Sequence, residues 1–203
     1  IMAASLAKGQ TRIFNAAKEP EVTDLIRCLN KMGAKIEGEE TDQLIIDGVK
    51  ELKPTNFSVM PDRIEIATYL TAAVMTGGEI TVKAINPNSL DKVIQKLELA
   101  GAEISKADDL INLKMTKTPL SVNISTAPYP FFPTDMQAQF IAMNSIAQGK
   151  SEVIENVFEN RFMHVQELTR MGGKIELKGN TAFIEGNLDG LTSAPVMATD
   201  LRA

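Results

Sequence analysis

A repeated glycine motif constrains the fold of this chain more than any other feature of its sequence. The motif joins the end of an apolar helix to a strand, and it occurs three times, at residues 32–36, 100–104 and 171–175. In each case a second glycine lies 24, 24 or 23 residues earlier, at Gly9, Gly77 and Gly149. Glycine adopts the left-handed conformation that often follows a helix, so each of these glycines is predicted to end a helix.

The segments that precede the motif glycines, Gly33, Gly101 and Gly172, share one apolar stripe. Its spacing is i, i+3, i+4, i+7, i+10, which is one face of an amphipathic helix: Val22, Leu25, Ile26, Leu29, Met32, and Leu90, Val93, Ile94, Leu97, Ala100. Strands are predicted between the helices, at residues 11–15, 44–47, 80–83, 110–115, 122–125, 153–156 and 182–185. The pattern therefore predicts an α/β protein built from repeated β-α-β-α-β-β units.

The polar segment at residues 51–56, which contains Pro54, is the predicted domain boundary. It separates residues 1–56, the end of a first domain, from residues 57–203, most of a second domain. The first residues are expected to lie inside a helix, and a further helix is expected to begin at Asp200. We therefore expect the sequence to be a fragment of a longer protein.

Composition excludes several classes of function. A formal charge of −5, few aromatic residues and no tryptophan argue against partners such as nucleic acid or an anionic membrane. The single cysteine, Cys28, cannot form an internal disulfide and favours a reducing compartment. The sequence contains no run long enough to span a membrane, no dinucleotide or P-loop motif and no zinc spacing. We expect neither a cofactor nor a metal.

An aspartate heads the first helix of each unit, at Asp62, Asp135 and Asp200. A helix cap would explain all three, because a carboxylate accepts the free backbone amides there. The loop before Asp135 differs from the others, since residues 127–134 contain three prolines and three aromatic residues. This loop is either a rigid crossover that buries Phe131 or Phe132, or a wall that fixes one carboxylate beside a substrate.

The third unit also changes the apolar stripe. Arg161 replaces Val22 and Leu90, and His164 replaces Leu25 and Val93. We expect a buried structural histidine, and an arginine that pairs with Glu159 or Glu167. Helix N-termini favour anions, and Arg63 and Arg202 lie beside two of them, so an anionic small substrate is expected.

Five strings of the chain resemble UDP-N-acetylglucosamine 1-carboxyvinyltransferases. The closest is Phe-Pro-Thr-Asp-Met-Gln-Ala-Gln-Phe at residues 132–140, and the others lie at residues 157–165, 197–203, 18–21 and 61–65. The resemblance implies an enolpyruvyl transferase fold, in which each of two domains holds three copies of the unit and forms an inside-out α/β barrel.

The resemblance also implies a reaction and its substrates. This family moves the enolpyruvyl group of phosphoenolpyruvate to the 3′-hydroxyl of UDP-N-acetylglucosamine and releases phosphate, which is the first committed step of peptidoglycan synthesis, in the cytoplasm. The position of Asp135 is the family's candidate base and binds the sugar. The resemblance places Val157 and Phe158 at the nucleotide sugar and Arg202 in the anion site for phosphoenolpyruvate. Thr134 and Asp200 are expected to be substrate-binding residues as well.

The chain departs from the family pattern as well. The family's Lys-Asn pair and the loop with its catalytic cysteine have no match, and Cys28 does not replace that cysteine. We therefore expect these 203 residues not to turn over alone. Two alternatives stay open: an enzyme like 3-phosphoshikimate 1-carboxyvinyltransferase, and a non-catalytic module made of the same repeat.

Overall fold

The computed structural model describes residues 1–198, and the chain divides into two compact units. Unit 1 contains Ile1–Pro61 together with Pro128–Pro130, and unit 2 contains the rest of the chain. The division follows Pro61, shortly after the polar segment at residues 51–56. The assignment of the two units to two domains of a longer enzyme stays a prediction. None of the helices described is long and apolar enough to cross a membrane.

Unit 1 is a three-stranded antiparallel sheet with helices packed on it. Its elements are α1 (Met2–Ser5), β1 (Gln10–Phe14), α2 (Pro20–Lys31), β2 (Lys35–Glu37) and β3 (Gln43–Asp47). The strand order is β1-β3-β2, with Asp47 of β3 opposite both Gln10 and Lys35. The core is formed by the apolar face of α2 and the inward side chains of β2 and β3: Ile26, Leu29, Ile36, Leu44 and Ile46.

Helix α1 ends at Ser5, which corrects the prediction that this helix continues to Gly9. The Ser5 carbonyl accepts the Val49 amide at 2.9 Å, and the Gly9 carbonyl accepts the Gly48 amide at 2.9 Å. These two bonds hold the residues after Ser5 against the end of β3. The chain therefore leaves the helix before it reaches the glycine.

Up to residue 198, unit 2 contains two further sheets and four α-helices. The second repeat unit comprises α3 (Arg63–Thr76), β4 (Glu79–Lys83), α4 (Asp91–Leu99), β5 (Glu103–Ala107) and β6 (Leu110–Lys114). The third comprises β7 (Ile124–Ser125), α5 (Gln137–Ser145), β8 (Lys150–Ile154), α6 (Met163–Arg170), β9 (Lys174–Lys178) and β10 (Thr181–Glu185). The strand orders are β4-β6-β5, all antiparallel, and β7-β8-β10-β9, in which only β7 and β8 are parallel.

The repeat predicted from the glycines is confirmed at Gly33, Gly101 and Gly172, whereas the prediction that Gly149 ends a helix is wrong, because α5 ends at Ser145. Gly33, Gly101 and Gly172 follow α2, α4 and α6 with φ angles of +99°, +104° and +95°. After each glycine, the next amide bonds back to a carbonyl of the helix: Ala34 to Leu29 at 2.9 Å, Ala102 to Leu97 at 3.0 Å, and Gly173 to Leu168 at 2.9 Å. This is the Schellman arrangement, which ends a helix and starts the next strand at once.

Helices α3 and α5 form the centre of unit 2 and pack against each other. Both have apolar residues on several sides, which is typical of a buried helix. Their buried side chains include Ile64, Leu70, Val74, Phe140 and Ile141. Helices α4 and α6 of unit 2 are amphipathic and bury one face only, and so is α2 of unit 1.

Strands β7 and β8 differ from their predicted ranges. Strand β7 was expected to begin at Val122, but the Val122 amide and carbonyl bond to the side chain of Asn144 in α5, at 3.0 and 2.9 Å. Strand β8 ends at Ile154, so Glu155 and Asn156 lie in the following turn. That turn contributes to the candidate site.

Candidate active site around Asp135

Asp135 does not cap a helix, which corrects one sequence prediction. It lies in a 3₁₀ turn, Thr134–Met136, that precedes α5, and Pro133 occupies the cap position. The Met136 amide bonds to the Pro133 carbonyl at 3.1 Å, so the turn closes without the aspartate side chain. Asp62 in contrast is a true cap, because its carboxylate accepts the Ile64 and Glu65 amides at 2.9 and 3.1 Å.

The Asp135 carboxylate instead pairs with Arg161. Arg161 Nη1 lies 2.7 Å from Asp135 Oδ1 and also donates to Thr134 Oγ1 at 3.2 Å. The guanidinium stacks over the Phe158 ring at 5.3 Å, and Gln137 Nε2 donates to the Arg161 carbonyl at 3.0 Å. Arg161 is therefore held at both its backbone and its side chain, and its guanidinium fixes one oxygen of Asp135.

The expected pairing of Arg161 with Glu159 or Glu167 is wrong. Helix α6 begins at Met163, so Arg161 lies in the preceding turn and not on the face of the helix. The helical spacing that would have brought Glu167 close does not apply there. His164 is buried in the first turn of α6, as predicted, and its structural role stays a prediction.

The second oxygen of Asp135 is open. The Arg161 side chain is 14% exposed, whereas the Asp135 side chain is 41% exposed. Within residues 1–198, no hydrogen bond reaches Asp135 Oδ2. One carboxylate oxygen is thus fixed by an arginine, and the other is free to accept a hydrogen bond or a proton.

Glu155 is a residue of this site that sequence reasoning missed. It is 2% exposed and accepts four hydrogen bonds. Its Oε1 accepts the Val157 amide at 2.8 Å, the Phe158 amide at 3.1 Å and Thr126 Oγ1 at 2.8 Å. Its Oε2 accepts Thr134 Oγ1 at 2.8 Å. A buried carboxylate is stabilised when several donors satisfy it, and these four come from three separate segments.

The structure brings four of the predicted site residues together. Thr134 and Asp135 lie in the 3₁₀ turn, and Val157 and Phe158 lie in the turn after β8, where both side chains are exposed. Glu155 joins the two turns through its two oxygens. The predictions for Asp200 and Arg202 lie outside the described residues.

The loop before Asp135 is closed at its base. The Ala127 amide bonds to the Phe132 carbonyl at 3.0 Å, and Thr126 and Phe132 form an isolated bridge. Phe132 is buried and packs edge-on against Phe140, with ring centroids 4.9 Å apart. Phe131 is exposed. Of the two candidates, Phe132 is therefore the aromatic anchor that fixes the start of the 3₁₀ turn.

No group of three metal-ligating side chains occurs in the part of the chain that the structure describes. Cys28 lies half-buried in α2 of unit 1. The polar groups around Asp135 are the Arg161 guanidinium, the Thr134 hydroxyl and the Glu155 carboxylate.

Comparison with known proteins shows the family of this chain. The model of the EPSP synthase (3-phosphoshikimate 1-carboxyvinyltransferase) family matches residues 1–203. The chain belongs to that family. The enolpyruvyl transferase NikO from Streptomyces tendae superposes with a TM-score of 0.78 at 23% identity, over 90% of this chain and 44% of NikO. EPSP synthase from Acinetobacter baumannii superposes with a TM-score of 0.50 at 16% identity, over 94% of this chain and 44% of that enzyme.

These likenesses confirm the predicted fold, an enolpyruvyl transferase fold of repeated α/β units. The chain spans less than half the length of either enzyme. The members of this family are carboxyvinyl transferases, and the chain has a transferase fold.

Proposed function

We propose that this chain forms part of an enzyme that transfers the enolpyruvyl group of phosphoenolpyruvate to the 3′-hydroxyl of UDP-N-acetylglucosamine, with release of phosphate. The observation that carries the proposal is the Asp135 carboxylate, fixed by Arg161 through Oδ1 and open at Oδ2. The proposed setting is peptidoglycan synthesis in the cytoplasm, which links the enzyme to cell shape and division.

Asp135 acts as the general base in this proposal. A sugar hydroxyl is far less acidic than a carboxyl group, so Asp135 does not deprotonate it beforehand. Oδ2 takes the proton while the hydroxyl oxygen bonds to the central carbon of phosphoenolpyruvate, and a separate acid protonates the methylene carbon. Loss of a proton and of phosphate from the tetrahedral adduct then restores the double bond.

The neighbouring residues supply binding and orientation. Val157 and Phe158 present exposed apolar side chains beside the turn that holds Asp135, and these side chains contact the nucleotide sugar. Thr134 lies next to the base. Arg202 completes the phosphoenolpyruvate side, because an arginine can hold a carboxylate or phosphate in a bidentate manner. Asp200 is a further substrate-binding residue in this proposal.

A second acceptor, shikimate 3-phosphate, is favoured by the family description itself. The strings at residues 132–140 and 157–165 support the nucleotide sugar instead, because they match that branch of the family. The two acceptors differ in charge and size. A direct assay with both therefore separates the proposals.

The test is phosphate release from phosphoenolpyruvate by the natural full-length polypeptide that carries this sequence. We expect steady turnover with UDP-N-acetylglucosamine and none with shikimate 3-phosphate. Turnover with shikimate 3-phosphate alone would establish the second acceptor, and no turnover with either would support a non-catalytic module. Residues 1–203 by themselves are expected to be inactive in the same assay.

A further inference from the structure

We propose that Glu155 is a positioning residue that sets the Asp135 carboxylate and the turn at residues 157–158 in one arrangement. The inference rests on the proposed function, because it concerns how the base is aligned with the residues that contact the acceptor. Glu155 is buried at 2% exposure, so it acts through its neighbours and does not touch the substrate. Its two oxygens serve two different branches of the site.

The Oε2 branch leads to the base. Thr134 has one hydroxyl proton and donates it to Glu155 Oε2 at 2.8 Å, which turns the lone pairs of Oγ1 towards Arg161 Nη1 at 3.2 Å. The same Nη1 holds Asp135 Oδ1 at 2.7 Å. By accepting the Thr134 proton, Glu155 Oε2 makes Thr134 an acceptor for Arg161, and Arg161 holds the base.

The Oε1 branch leads to the proposed acceptor contacts. Oε1 accepts the amides of Val157 and Phe158 and the hydroxyl of Thr126. Any acceptor oxygen at the position of Oε1 would keep those three donors satisfied, including the oxygen of a side-chain amide. The Oε2 branch differs, because the Thr134 hydroxyl needs a second acceptor oxygen on the same side chain.

This difference allows the two branches to be separated by substitution. In Glu155→Gln, the amide oxygen faces the three donors of the Oε1 branch, because the opposite orientation would leave them unsatisfied. The amide nitrogen then faces Thr134 and donates to it, so the hydroxyl loses its acceptor. Glu155→Leu removes both branches. Glu152→Gln is the matched control, because Glu152 is exposed on β8, the strand that precedes Glu155.

The experiment measures kcat and KM for the proposed reaction in the full-length protein. We expect Glu155→Gln to lower kcat about 100-fold with little change in the KM for the nucleotide sugar, since small misplacements of a base have effects of this size. Thr134→Val breaks the same branch and should lower kcat equally, with no further loss in the double variant. Glu155→Leu should also raise KM.

A crystal structure of each variant gives a readout that does not depend on turnover. In Glu155→Gln and in Thr134→Val, the Arg161–Asp135 pair should shift from its position in the unmodified protein while the backbone stays in place. An unchanged kcat, additive losses in the double variant, or an unshifted pair would overturn the inference. If the unmodified enzyme turns over neither acceptor, the proposed function fails, and the position of the pair in the two crystal structures alone decides the role of Glu155.

Discussion

Replacing Phe132 by alanine should destabilise unit 2 and loosen the approach to Asp135. Phe132 is 5% exposed and packs edge-on against Phe140, with centroids 4.9 Å apart and planes at 86°. Truncation of a buried phenylalanine lowers the free energy of unfolding by roughly 3–5 kcal/mol. The edge-on ring pair accounts for roughly 0.5–1.5 kcal/mol of this loss. Phe132→Leu keeps an apolar side chain but removes the ring, so part of its loss of stability should come from this ring pair.

The matched control is its neighbour in the chain. Phe131 is 60% exposed, so Phe131→Ala should change the free energy of unfolding by no more than about 0.5 kcal/mol. Native-state hydrogen exchange of the α5 amides is the assay, because it reports on unit 2 without requiring the whole chain to unfold as one. Phe132→Ala should speed this exchange by between about 10² and 10⁴-fold. Equal effects of the two substitutions would refute the assignment of Phe132 as the anchor of the loop.

Three further predictions concern caps and charges. Asp62→Ala should lower the free energy of unfolding, measured by urea titration, by about 0.5–2 kcal/mol. Asp62→Asn should retain most of the stabilisation by the cap, and equal losses in the two variants would contradict the cap. Gly101→Ala should destabilise by about 1–2 kcal/mol, because φ there is +104°, and an unchanged stability would contradict the left-handed conformation. The hydrogen bond and charge of Lys150, and the charge of Lys174, lower the pKa of Glu185. Because this folded-state pKa lies below the unfolded one, the stabilisation exists above the unfolded pKa and is lost as pH falls through the folded pKa. An NMR titration should show the pKa of Glu185 rising in Lys150→Met, and no rise would refute this cause.

Local rules predicted the fold because each rule involves few residues. Gly33, Gly101 and Gly172 end their helices through backbone geometry alone, and the stripe before each glycine fixes the buried face. The same local reasoning placed the caps, and at Asp62 it was correct. Asp135 broke the rule because Pro133 starts a 3₁₀ turn, which closes without a side chain and leaves the carboxylate to a partner in another segment.

The candidate site was harder to predict because its bonds join distant segments. Arg161 lies 26 positions after Asp135 and Glu155 lies 21 positions after Thr134, so no helical or strand period relates them. Glu155 carried no signal in the sequence, since a glutamate at the end of a strand is ordinary. Only the packing of β7, β8 and α5 brings its four donors together.

Turnover by Asp135→Asn in the full-length enzyme tests the account most directly. Asparagine keeps the oxygen that accepts Arg161 Nη1 and removes the one that would take the proton. We predict that kcat for phosphate release falls by about 10²–10⁴-fold, with the KM for the acceptor almost unchanged and with Asp189→Asn, on an exposed turn, as control. Turnover by Asp135→Asn at the rate of the unmodified enzyme would contradict the role of Asp135 as the base.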